Sequence, residues 1–182
     1  MTHYIFLTLA VLNMVFPTNL YLIYFRKFFK MFPPSYSSTY GILWTYATNC
    51  KPMKHLTHIF TAWTGLEVAT LSGLVYYSDT TLQVAMSTLC LLALIFVGAC
   101  PTSVNKDVTK VHCAMAKICA LNAIVWLFLK GIYAPTLVLC IGGLIWSRGW
   151  QKKYETLIME YMAFMSASTG VIICALKSLG VL

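Results

Sequence analysis

Among the ionisable side chains in or beside the long apolar runs of this chain, Glu67, Asp107, His112, Lys117 and Glu160 are the ones whose types and positions could do chemistry. His112 follows Asp107 by five residues, and a histidine paired with an aspartate can serve as a general base. Such a catalyst also needs a nucleophile. The sequence has no GxSxG, HExxH or phosphate-loop pattern, and Ser35, Ser37 and Ser38 qualify only by being available. His112 therefore has two readings: a catalytic base, or a histidine that opens a helix at the level of lipid headgroups.

Glu67, Lys117 and Glu160 raise a different question, because a charge inside an apolar helix is costly unless it is paired. Pairing Lys117 with Glu67 or Glu160 would neutralise both partners. The alternatives are a lysine that snorkels to the interface and a Glu160 that reaches the headgroups from the first turn of its helix. Glu67 is the deepest of the three. It lies on the helix face of Trp63 and Thr70, off a stripe of small residues formed by Gly65, Ala69 and Gly73. Similar stripes occur at Ala116, Cys119, Ala120 and Ala123, and at Ala163, Ala167 and Gly170, and they predict close helix packing.

The elements that must position these groups follow from composition. Of the 182 residues, 59% are apolar and 10% are charged, with a mean hydropathy of +0.75. A soluble domain carries about 25% charged residues, so the solvent this chain is built for is lipid. One domain, residues 1–182, is expected, with an all-α fold: a polytopic bundle of six transmembrane helices. The predicted spans are 4–24, 58–77, 82–100, 112–129, 132–146 and 157–176. The first is expected to kink at Asn13, Pro17 and Asn19. The links at 78–81 and at Lys130–Gly131 are short enough to force antiparallel neighbours.

The segment 25–57 is the longest connection. It carries RKFFK, two prolines in succession and many aromatics. Tyr36, Tyr40, Trp44 and Tyr46 are expected in the headgroup layer, and the segment is either an interfacial belt or a lid over a ligand.

The net charge of +8 does not point to nucleic acid, because the Lys and Arg residues are few and sit in short loops. Counted by loop, ten fall on one side and two, Lys130 and Lys177, on the other. That bias places loops one, three and five in the cytoplasm and both termini outside. Five of the seven cysteines lie in apolar runs, so a disulfide framework is not expected, and no Cys/His spacing suggests a metal. No cofactor is expected. The N-terminal run lacks a basic start and a small-residue cleavage site, and is expected to be a retained helix. The absence of glycosylation sequons fits a bacterial inner (cytoplasmic) membrane protein.

The order PPSYSSTYG (33–41), FVGACP (96–101) and KVHCAMAKICALNAIVW (110–126) resembles the six-helix DRAM/Frag-type membrane protein family and its uncharacterised bacterial relatives. The likeness runs from about residue 30 to 176. Pro34, Ser37 and Tyr40 match the family's element after helix one, and His112 its histidine opening helix four. Tyr36 departs from the usual aliphatic residue, and RKFFK is unusual. The family's segment after helix one faces away from the cytoplasm, opposite to the charge rule here. The resemblance implies lipid-related roles: autophagy modulation, lipid-anchor remodelling or phospholipid organisation.

The function expected is therefore a lipid-interacting or partner-binding membrane scaffold, with membrane lipids and a protein partner or second copy as its contacts. The alternatives are a membrane-embedded lipid hydrolase using His112, Asp107 and a carboxylate at Glu67 or Glu160, and a small transporter with Glu67 as its ion site.

Overall fold

The computed structural model describes residues 1–36, 38–39, 42–43, 56–99, 106–133, 136–137, 140–141, 144, 148 and 154–182. Among these residues the fold is all-helical, with no strand. The chain opens with one rod: α1 (Thr2–Asn13), a π-helical segment (Met14–Leu20) and α2 (Tyr21–Phe29). Then come α3 (Leu56–Tyr76), α4 (Thr81–Ala99), α5 (Lys106–Leu129) and α6 (Glu155–Ser178). Among the described residues, four segments are long and apolar enough to cross a membrane: Thr2–Phe29, Thr81–Ala99, Asp107–Leu129 and Glu155–Ser178.

Where the sequence predicts a kink, the structure has the π segment. Pro17 has no N–H to give the ladder, and the side chains around it re-cap the freed carbonyls. Thr18 Oγ1 donates to Asn13 O at 2.9 Å, and Asn19 Nδ2 donates to Met14 O at 2.5 Å. The rod runs to Phe29, so residues 25–29, expected in the loop, are helical. Likewise α5 begins at Lys106 and not at His112, because the charged residues at its start, Lys106, Asp107 and Lys110, carry no apolar signal. Of the fifth predicted helix, the described positions 133, 136–137, 140–141 and 144 are helical, and the remainder up to Trp146 lies outside the described residues.

The helix ends follow from sequence. Thr80 and Gln83 form a capping box at the start of α4: Gln83 N donates to Thr80 Oγ1 and Thr80 N to Gln83 Oε1, both at 3.3 Å. At the end of α5, Gly131 takes φ +74, and Gly131 N and Ile132 N bond back to Phe128 O and Leu127 O. This is a Schellman cap, which needs the left-handed residue that glycine supplies most cheaply.

The bundle packs through its small residues. A Cβ at Gly170 would sit 2.3 Å from Leu127 Cδ2, and one at Gly73 would sit 2.9 Å from Val171 Cγ1, so α6 approaches α5 and α3 closely there. Gly65, assigned to the same stripe as Gly73, faces open space. The main core joins Leu71, Leu74, Leu94, Trp126, Leu127 and Val171 from four helices.

Polarity is inverted relative to a water-soluble helix. On α4 the buried face carries Gln83 and Ser87, while Leu82, Leu89, Leu92, Ile95 and Phe96 are each about half exposed. The same holds for Asn13, Glu67, Ser166 and Ser168, which lie inside while isoleucines, leucines and phenylalanines line the outside.

Candidate functional site

Three helices meet at Glu67. The spacing Trp63–Glu67–Thr70–Leu71–Leu74 keeps one face of α3 buried, and Glu67 on that face has no exposed surface. Asn13 comes from the last turn of α1, where the π segment begins, and Ser168 from the middle of α6. Asn13 Nδ2 donates to Glu67 Oε2 at 2.8 Å and to Ser168 Oγ at 3.1 Å. Both amide hydrogens are thereby used. Glu67 Oε1 and Asn13 Oδ1 are buried with no hydrogen-bond partner among the described residues.

An aromatic layer lies one helical turn away, about 5.4 Å along each axis. Trp63 is four residues before Glu67 on α3, and Phe164 is four before Ser168 on α6. Tyr36 inserts between them. Its ring stacks on Trp63 with centroids 5.5 Å apart, and Phe164 meets both rings edge-on at 5.8 and 5.3 Å. Tyr21 and Leu157 complete the cluster. Tyr36 is thus packed inside the protein, 1% exposed, and not on its surface. Burial pushes its phenol well above the ordinary value, so the hydroxyl stays protonated and donates to Thr18 O in the π segment.

The loop that brings Tyr36 here is pinned to α6. Tyr36 N donates to Glu160 Oε2 at 2.6 Å, and Leu157 N donates to Pro34 O at 3.1 Å. Ser35 and Ser38 cross-bond to tighten the turn. Glu160 is thus an anchor for loop one and does not reach for headgroups. Thr18 bonds Tyr36 on one side and Asn13 O on the other, so contacts run from Glu160 through Tyr36, Thr18 and Asn13 to Glu67. Pro34 is part of this chain. Ser37 and Tyr40, matched to the same sequence element, lie outside the described residues, as do Trp44 and Tyr46.

The structure does not bring the other predicted residues together. Lys117 is exposed on α5 and forms no ion pair with Glu67, whose carboxylate is instead engaged by an amide. The predicted pair fails because Lys117 lies off the buried face of α5, which repeats as His112, Cys119 and Trp126. Asp107 is solvent-exposed and pairs with Lys110 at 3.1 Å, within its own helix turn. His112 is 2% exposed, and its Nδ1 lies 3.1 Å from Val97 O on α4. His112 is therefore a packed residue in the second turn of α5, neither a helix-opening anchor nor a partner of Asp107.

A second feature lies at the other end of the rod. Ile23, Arg26, Lys27, Lys30 and Phe32 line an open groove of about 460 Å³. The Arg26 guanidinium sits 4.9 Å over the Phe32 ring. Lys30 ends α2 in the left-handed region at φ 58, which turns the chain back over the groove.

Asn13 and Ser168 were missed as site residues by sequence reasoning, although an asparagine and a serine in apolar helices are the signal for interhelical hydrogen bonding. No protein-family model, curated protein or solved structure matches this chain.

Proposed function

We propose that the chain is a multi-pass integral membrane protein that works as a lipid-interacting scaffold in a bacterial cytoplasmic membrane. The inverted polarity of the helices carries this proposal: Gln83 and Ser87 are buried on α4 while Leu92, Ile95 and Phe96 face outward. In water that arrangement exposes an apolar face and hides a polar one. In lipid, where unsatisfied polar groups must turn inward, it is the stable one. Lipid contact is further supported by the groove of Arg26, Lys27 and Lys30, placed where the apolar rod ends and anionic headgroups would begin. The resemblance of PPSYSSTYG (33–41) to an element of the DRAM/Frag-type family points in the same lipid direction. Six spans, with loops one, three and five cytoplasmic, remain the proposed topology.

The hydrolase alternative loses its support. His112 faces Val97, Asp107 faces Lys110, Glu160 holds Tyr36 and Glu67 holds Asn13, so the candidates occupy four separate environments. The ion-site alternative gains support from the bare oxygens beside Glu67.

Alkaline carbonate extraction tests the membrane proposal. The protein is expected to stay in the washed membrane pellet. Quantitative release into the supernatant would overturn it. For the lipid part, co-purified lipids are compared by native mass spectrometry for wild type and an Arg26→Ala/Lys30→Ala double variant. The variant is expected to lose anionic phospholipid, and an unchanged lipid profile would refute the role of the groove.

A further inference from the structure

We infer that the Asn13–Glu67–Ser168 centre is a binding site for one alkali-metal cation, which rests on the membrane proposal and on its ion-site alternative. The inference starts from a count of donors and acceptors. Asn13 Nδ2 has given both hydrogens, to Glu67 Oε2 and Ser168 Oγ. The Thr70 hydroxyl, one turn along α3, is committed to Leu66 O and Leu9 O. Two acceptors remain, Glu67 Oε1 and Asn13 Oδ1, both fully buried and without a partner among the described residues. They belong to side chains already in contact through the Asn13 amide.

The centre therefore has two unpartnered oxygens, one carboxyl group and, among the described residues, no cationic side chain. Lys117 is exposed, and the ion pairs among the described residues are Lys110–Asp107 and Lys130–Asp79. A water molecule could donate to both bare oxygens but would leave an ionised carboxylate uncompensated in an apolar interior, so a proton or a cation must neutralise it. A monovalent metal ion supplies what both lack: a positive charge that needs no acceptor and takes hard oxygen ligands. A divalent ion would leave a net positive charge buried. It would also want a richer acidic set, and the described residues hold no cluster of three His, Cys, Asp or Glu. The ligands named are Glu67 Oε1 and Asn13 Oδ1, with the Ser168 hydroxyl beside them. The π segment adds a second, independent sign. π-helical bulges inside α-helices are frequently found at functional sites, and Asn13 stands at the start of this one.

Thermal unfolding of the full chain in mild detergent is followed in lithium, sodium, potassium or choline chloride, at constant pH and ionic strength. The expected result is a saturable rise in Tm with at least one alkali cation over choline. Glu67→Gln keeps the shape and removes the charge, and should abolish that dependence. Ser168→Ala gives a second measure if Glu67→Gln folds poorly, and its midpoint cation concentration should rise about ten-fold for the loss of one oxygen. Equal Tm in all four salts overturns the site, and so does a shift that survives Glu67→Gln. A Tm that responds to acidification alone, identically in all salts, also overturns it and assigns the neutralising species as a proton. A carbonate-resistant protein without cation dependence defeats this inference and leaves the membrane proposal standing.

Discussion

Two polar clusters sit inside this apolar bundle, and they differ in whether their hydrogen bonds close. At the turn between α3 and α4, Trp126 Nε1 donates to Ser78 Oγ at 2.8 Å, and Ser78 Oγ donates to Leu74 O at 2.8 Å. Gln83 receives Asp79 N and Thr80 N and gives its amide to Leu129 O at 3.0 Å. Ser87 donates back to Gln83 O, and Lys130 pairs with Asp79. None of these side-chain atoms is buried and bare. The Asn13–Glu67–Ser168 centre draws on equally distant helices and is at least as deep, yet two of its oxygens have no hydrogen-bond partner among the described residues. A closed network stitches helices together. An open one has room for something the chain does not supply.

Breaking the closed cluster should be the more damaging change. Trp126 is fully buried and tied to the α3–α4 turn through Ser78, so Trp126→Ala removes both its packing and that bond. The expected loss is about 3–5 kcal/mol of unfolding free energy. Denaturant titration in detergent checks it. Trp126→Phe keeps most of the volume and should cost much less. If the two variants are equal, the indole N–H carries the effect and the closed-network account of packing is too simple.

Gln83 comes next. Its side chain serves Asp79 N, Thr80 N and Leu129 O together, and Gln83→Leu strands those groups at the end of three helices. The expected destabilisation is about 1–3 kcal/mol, read from the same titration. A neutral or stabilising result would mean that water replaces the glutamine and that this end is more open than its burial implies.

The two clusters were unequally legible. The closed one is written locally: Ser78 and Thr80 through Gln83 spell a turn and a capping box, and Gly131 marks the end of α5. Helix positions were legible for the same reason, since apolar runs of this length have few alternatives. The starts of α5 and α6 were not, because each opens on polar residues, Lys106 and Asp107 or Glu155 and Thr156, that contribute nothing to the apolar pattern. Glu67 could be singled out as a buried charge, but its partner could not. Charge complementarity suggested Lys117, whereas the fold supplied Asn13, 54 residues away, and through it Ser168. Which helix faces which is a tertiary fact that one-dimensional spacing does not hold. His112 was partly legible: with Cys119 and Trp126 it repeats every seven residues, which marks a core-facing row.

Glu67→Gln should have the smallest effect on stability, and the comparison turns on its sign. In choline the wild type keeps a buried carboxylate with one oxygen bare, held only by the Asn13 amide. Replacing that charge by a neutral amide of the same shape removes a desolvation penalty, and its oxygen can still accept from Asn13 Nδ2. The variant should therefore match or exceed wild-type stability in choline, with a difference under about 1 kcal/mol. Gln83→Leu should be destabilised in every salt. Opposite behaviour at two equally buried polar positions would separate a site kept for a ligand from a network kept for the fold. If Glu67→Gln instead unfolds as readily as Gln83→Leu in choline, the carboxylate is a structural member of the bundle and the distinction between the clusters collapses.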